Sequence, residues 1–243
     1  MKIKLTLSYD GTHYCGWQRQ KNGISVQETV ENAVFNLTCE KVSVVGSGRT
    51  DAGVHAEGQI ACFDTSANIP PEKFYKALNV LLPPDIKAVK SEKAEDGFHP
   101  VRAAKRKTYE YTLYVSEVPL PLLERYAVRV EKLDVEKVKA AAKLIKGTHD
   151  FKCFSSVGGS VKTTVRTVYR VSVKEKDGII KIAVSGNGFL YNMVRIIVGT
   201  LVKIGQEKMT EEDLNKMLSG GGRTLGGITF PAKGLCLKKV EYK

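Results

Sequence analysis

The chain has 243 residues, 42% of them hydrophobic and 26% charged, with a formal net charge of +12. That length and balance suit one large globular domain or two small ones and exclude a disordered or fibrous chain. The most apolar stretch, Phe189 to Ile204, is interrupted by Asn192, Arg195 and Lys203, so no membrane-spanning segment is expected, and the charged, alternating start from Lys2 predicts no signal peptide.

Ile3, Leu5 and Leu7 alternate with Lys2, Lys4 and Thr6, which predicts a half-buried strand over Met1 to Tyr9. Ser25 and Glu28 are spaced as a capping box, ahead of a helical stripe of Val26, Val30, Ala33, Val34 and Leu37. Val42 to Val45 reads as a short buried strand entering a glycine-rich loop, and Gln59 to Asp64 as the outgoing strand. A second helix starts near Pro71, carries Phe74, Leu78 and Leu81, and stops at Pro83-Pro84. After the basic run Arg102, Lys105, Arg106 and Lys107, the alternation of Tyr109, Tyr111, Leu113 and Val115 predicts another strand. Asp134 caps a helix with Val138, Ala141, Ala142 and Ile145 on its apolar side, ended by Gly147. Two strands follow, Val165 to Lys174 and Ile179 to Ser185, joined by Lys176-Asp177-Gly178. Phe189 to Ile204 reads as an apolar helix, Thr210 with Asp213 caps a last helix ended by Gly220 to Gly222, and Leu235 to Tyr242 is a closing strand. A pattern of strand, helix and strands thus runs once over residues 1–103 and again over 104–243, which points to an α+β fold with helices on one face of antiparallel sheet.

The positive charge suits a polyanion, with nucleic acid favoured over a membrane because no basic amphipathic helix with an exposed aromatic face is present. A merely solvated basic surface is the plainer alternative. The five cysteines (Cys15, Cys39, Cys62, Cys153, Cys236) and four histidines (His13, His55, His99, His149) are scattered. That scatter predicts neither disulfides nor a metal site, and a reducing, cytoplasmic compartment.

Three places suit chemistry. Gly46 to Gly58 sets Arg49, Thr50, Asp51 and His55 among glycines, which let a ligand approach the backbone closely. Asp51 is either a reactive carboxylate beside a cation or the cap of a tight turn. Arg195 lies within an apolar helix, where a guanidinium either meets a carboxylate or reaches solvent along a narrow polar face. Tyr109, just after the basic run, suits base stacking, whereas Tyr111 reads as core. Tyr9, Tyr14 and Trp17 form another aromatic group, with Trp17 equally readable as core. No Walker loop, dinucleotide fingerprint or nucleophile elbow is present.

Gly48-Arg49-Thr50-Asp51-Ala52-Gly53-Val54-His55-Ala56 resembles the catalytic motif of the tRNA pseudouridine synthase A family. Tyr9-Asp10-Gly11-Thr12, Gly16 to Gln20, Ala104 to Tyr111, Phe189 to Gly199 and Pro231 to Leu235 resemble the family's other motifs, in order along the chain. The resemblance implies two RNA-recognition-like (ferredoxin-like) halves, their mixed or antiparallel sheets joined, with a central active-site cleft. It implies a homodimer acting on tRNA, with no cofactor or metal, that isomerises uridine to pseudouridine in the anticodon stem-loop, at tRNA positions 38, 39 and 40. Asp51 then matches the catalytic nucleophile, Tyr109 the residue that contacts the target base and assists proton transfer, and Arg195 the ion-pair partner of Asp51. Arg49 matches the residue that holds the flipped nucleotide, Leu235 packs near the base, and His55, Arg102, Lys105, Arg106 and Lys107 are expected to contact RNA. Val101 stands where the family carries an arginine, with Arg102 following, and Cys236 replaces its usual tyrosine. A non-catalytic tRNA-binding module or chaperone is the alternative. A third reading is a metal-dependent nuclease using Asp10, Asp51 or Asp64.

Overall fold

The computed structural model describes residues 1–21, 23–158, 161–220 and 227–242. The fold is α+β, and the chain divides into two compact units, Met1–Lys105 with Cys236–Lys243, and Arg106–Leu235.

The first unit contains β1 (Lys2–Tyr9), α1 (Val26–Thr38), β2 (Val45–Gly46), β3 (His55–Asp64), α2 (Phe74–Leu81), β4 (Ile86–Lys93) and β10 (Leu235–Glu241), the last strand of the chain. The strands run in the order β4-β1-β3-β10. β1 is antiparallel to both its neighbours, whereas β10 pairs parallel to β3 through Cys236 opposite His55 and Leu237 opposite Ala56. β2 pairs antiparallel with the far end of β3, at Ala61 and Cys62. The C-terminal strand belongs to the first unit because that parallel ladder satisfies backbone groups at the start of β3. Ile3, Leu5 and Leu7 of β1, Val30 and Val34 of α1, and Phe74 and Leu78 of α2 are fully buried, each such side chain contributing about 1.5–3 kcal/mol. Phe63 of β3 meets Phe74 of α2 edge-on at 5.8 Å.

The second unit contains β5 (Arg106–Val115), β6 (Val128–Val130), α3 (Val135–Leu144), β7 (Gly147–Asp150), β8 (Val165–Lys176), β9 (Ile179–Gly186), α4 (Met193–Gly205) and α5 (Glu211–Leu218). Its strands run β5-β9-β8-β7, all antiparallel, with β6 parallel to β5. Asp177 and Gly178 have φ of 52° and 73° and join β8 to β9, as a type I′ turn requires. α4 packs on α3 so closely that a Cβ on Gly205 would meet Leu133 and Val138.

Several elements depart from the sequence pattern. Val42 to Val44 are not strand, because Val44 N–H donates to Glu31 Oε1 (2.9 Å) and its carbonyl accepts from Gln27 Nε2 (3.1 Å), leaving only Val45–Gly46 to the sheet. β3 begins at His55, four residues before Gln59, where β10 supplies its ladder. β4, β6 and β7 were not marked by their sequence: β4 is an edge strand with half of its residues charged, and β6 and β7 are short. α3 ends at Leu144, and Gly147, at φ 129°, instead opens β7. α4 starts at Met193 and not at Phe189, because Asn192 adopts φ 61°. α5 ends at Leu218; Gly221 and Gly222 of the expected glycine stop lie outside the described residues.

Candidate active site

The loop between β2 and β3 holds Asp51 on a turn. Val54 N–H donates to Asp51 O (3.1 Å), and Gly53, third in that turn, has φ 76°, the place a type II turn reserves for glycine. Arg49 is exposed, Thr50 buried and Asp51 half-buried. The loop is held from below by the segment that follows β1. Trp17 N–H donates to Thr50 O (3.0 Å) and Gly53 N–H to Tyr14 O (3.3 Å). Gly16 sits between these bonds at φ 107°, where a Cβ would stand 2.6 Å from Thr50 O. Trp17 is buried and lies so close to Gly46 that a Cβ there would meet indole Nε1 at 2.6 Å; Trp17 is therefore core.

Side chains complete the clamp. Tyr9 Oη and Thr50 Oγ1 share a hydrogen bond of 2.8 Å, both buried. Ser47 Oγ donates to Gln59 Oε1 (2.6 Å), and Gln59 Nε2 donates to Gly48 O (2.8 Å). Burial pushes the Tyr9 hydroxyl well above the usual tyrosine range, so it stays protonated and can donate. Tyr9→Phe removes a bond inside a buried network and is expected to cost about 1–2 kcal/mol. Urea denaturation checks that loss of stability.

His55, at the start of β3, is also buried; its Nδ1 accepts Gly11 N–H (3.1 Å) and lies 3.1 Å from Asp10 Oδ1. Asp10 Oδ1 in turn accepts Thr12 N–H (3.0 Å) and the Thr12 hydroxyl (2.5 Å). His55 thus ties the end of β1 to the start of β3. Arg102 and Lys105 are exposed at the end of the first unit.

In the second unit, Tyr109 of β5 is buried with its ring edge-on to Phe189 at 5.4 Å. Tyr111 is fully buried, and its hydroxyl donates to Pro231 O (2.6 Å). Its ring lies against Gly234, where a Cβ would come within 2.6 Å. That close approach explains the glycine before Leu235, which is itself buried at the start of β10. Arg106 is exposed with its guanidinium 5.0 Å above the Tyr169 ring, while Lys107 is half-buried and its ammonium pKa is lowered by that burial. Arg195, half-buried on the first turn of α4, donates from Nε to Phe230 O (2.7 Å) and from Nη1 to Asn192 Oδ1 (2.7 Å). Two acceptors on different nitrogens fix the plane of a guanidinium.

The expected residues therefore fall into two sets. Asp51, Arg49, His55, Arg102 and Lys105 belong to the first unit, and Tyr109, Arg106, Lys107, Arg195 and Leu235 to the second. The sequence reading did not single out Thr50, Gln59 or Ser47 as supports of the Asp51 loop, nor Asn192 and Phe230 as supports of Arg195. One signal was available for Gln59: a polar residue at the head of an otherwise buried run. Among the described residues, no group of three or more His, Cys, Asp or Glu side chains is placed to hold a metal ion, and no helix is long and apolar enough to cross a membrane.

The family model for tRNA pseudouridine synthase matches residues 6–101 and 141–243. The chain is 46% identical to the tRNA pseudouridine synthase A of Clostridium acetobutylicum over 241 residues, covering 99% of each chain. It is 47% identical to the tRNA pseudouridine synthase A 2 of Clostridium perfringens and 46% identical to the tRNA pseudouridine synthase A of Acetivibrio thermocellus, again over 99% of each chain. With its Asp51 turn, Tyr109 strand and Arg195 helix inside the matched or aligned length, the chain belongs to the tRNA pseudouridine synthase family.

Proposed function

We propose that this protein isomerises uridine to pseudouridine in the anticodon arm of tRNA, with Asp51 as the nucleophile and with no cofactor or metal. The observation that carries the reading is the setting of Asp51. A half-buried carboxylate stands on a turn whose neighbours, Thr50 and Gly53, are each bonded to the segment after β1. Capping a turn does not need that much support; a reacting group does, because rate depends on geometry held before the substrate arrives.

The chemistry is an isomerisation. The bond from C1′ to N1 breaks, the detached uracil turns, and C1′ bonds to C5; the C5 proton leaves and N1 takes one up. Asp51 attacks the target nucleotide to open the sequence and is expelled again before the product leaves, so no bond to the enzyme remains. Arg195 pairs with Asp51 and keeps it ionised and oriented, a role that suits a guanidinium already fixed by Phe230 and Asn192. Tyr109 lies against the target base and assists transfer of the C5 proton. Arg49, exposed beside the turn, holds the flipped nucleotide, and Leu235 packs near the base. Extruding a base costs a few kcal/mol. Phosphate contacts from Arg102, Lys105, Arg106 and Lys107 offset that cost, while His55, buried against Gly11 and Asp10, braces the loop and does not touch RNA. The protein works as a cytoplasmic homodimer.

Unmodified tRNA carrying tritium at uridine C5 tests the reading. Incubation with the protein should release tritium, leave the RNA chain intact, and proceed equally well in EDTA. A folded protein that binds tRNA and releases no tritium would overturn the reading in favour of a binding module. Strand cleavage that EDTA stops would point to a metal-dependent nuclease.

A further inference from the structure

Asn192 is the N-cap of α4 and has φ 61° and ψ 6°. That left-handed region is strained for side chains other than glycine, although asparagine enters it more readily than most. A cap asparagine ordinarily turns its side chain onto an amide of the first helical turn. Asn192 makes no such bond. Its Oδ1 instead accepts Arg195 Nη1 (2.7 Å), and its Nδ2 donates to Ser156 Oγ (3.0 Å). Ser156 is anchored in turn, its N–H donating to Tyr191 O (3.1 Å).

The other anchor of Arg195 is equally constrained. Phe230 O accepts Nε (2.7 Å), and Phe230 N–H donates back to Arg195 O (3.3 Å). The chain before Phe230 is pressed onto α4, since a Cβ on Gly199 would overlap the carbonyl oxygen of Ile228. Phe230 is buried with its ring 6.1 Å from that of Tyr111. Of these two anchors, a backbone carbonyl and a side-chain amide, the second can be removed without disturbing the backbone.

We infer that Asn192 is a positioning residue for Arg195. From its left-handed backbone the amide meets the Arg195 side chain of the first turn, and it sets the plane in which the guanidinium is presented. The inference rests on the reading that Arg195 serves the isomerisation. Holding the arginine in one rotamer before the reaction removes an ordering cost that would otherwise fall within it. The backbone strain at Asn192 then has a use, as strain at functional sites often does.

Asn192→Gly isolates the amide, because glycine takes φ 61° without strain. Single-turnover tritium release should slow by about tenfold or more, while tRNA affinity and melting temperature stay close to the parent's. Ser156→Ala, which frees the far side of the amide, should slow release in the same direction and by less. Arg195→Lys keeps the charge but loses the planar fork, and should slow release by itself; adding Asn192→Gly to it should slow release no further, since a residue acting only through Arg195 then has nothing left to orient.

A parental rate for Asn192→Gly overturns the inference, and so does a further, multiplicative slowing on the Arg195→Lys background. Weakened tRNA binding with an unchanged rate at saturation overturns it too, since that places Asn192 in binding or folding. Arg195→Leu separates this from the functional reading. If it works at the parental rate, Arg195 has no role in the reaction and both fall; if it is slow while Asn192→Gly is not, only the inference falls.

Discussion

Asp51→Ala should lower tritium release from C5-labelled tRNA by on the order of a thousandfold or more, the scale on which loss of a nucleophile is felt. The substitution removes the carboxylate and leaves the backbone of the loop in place. The turn bond uses the Asp51 carbonyl, the clamp uses Thr50 O, Thr50 Oγ1 and Gly53 N, and none of these atoms changes. The protein should therefore melt close to the parental temperature. Affinity for tRNA should also persist, because it rests on the phosphate contacts of a chain with a net charge of +12. Losing one negative charge makes that attraction slightly stronger. A gel-shift titration beside the release assay reads both quantities. Substantial turnover by Asp51→Ala would remove Asp51 from the chemistry, whereas parallel loss of turnover and binding would make it a folding residue.

Gly11→Ala is expected to have the second-largest effect, and through packing. A Cβ on Gly11 would overlap the carbonyl oxygen of Val54. Backbone cannot step aside as a flexible side chain can. Gly11 N–H is bonded to His55 Nδ1, Gly11 O accepts Tyr14 N–H (3.0 Å), and Val54 N–H donates to Asp51 O (3.1 Å), so neither side of the contact can withdraw cheaply. The overlap should cost about 3 kcal/mol, lowering the melting temperature by roughly 6–12 °C in a chain of this size. Val54 closes the Asp51 turn, so tritium release should fall as well. Gly97→Ala is the control: Gly97 has φ 74° but nothing within 4 Å of its added Cβ, so only backbone strain of about 1–2 kcal/mol applies. Thermal melts followed by circular dichroism distinguish the two. Equal shifts would mean that the contact with Val54 relaxes at little cost, since Gly11 has no left-handed φ of its own to strain.

Much of this could be read along the chain because the signals are local. Ile3, Leu5 and Leu7 alternate and do form one buried face of β1. Ser25 accepts the Glu28 amide, Asp134 accepts those of Glu136 and Lys137, and Thr210 with Asp213 closes a capping box. Each cap needs only residues within one helical turn. The turn at Asp177-Gly178 needs only two residues able to take positive φ. Asp51 stood out for a similar reason: its glycine-rich motif is continuous in sequence.

What the tertiary structure alone decided depends on partners far apart in sequence. Half of β4 is charged, and it is a strand because β1 pairs with it from residue 3 to residue 9. β10 joins the first unit because its ladder partner is His55. Val42 to Val44 lost their strand to the side chains of Gln27 and Glu31 on α1. The supports of the reactive groups are equally remote: Tyr9 reaches Thr50 across 41 residues, and Arg195 reaches Phe230 across 35. By itself the sequence determined where helices are capped, where strands alternate and which carboxylate sits among glycines, since periodicity and turn chemistry act over a few residues. Pairing, burial and side-chain clamps were decided by tertiary structure, because a hydrogen bond or close contact between distant segments leaves no period in either of them.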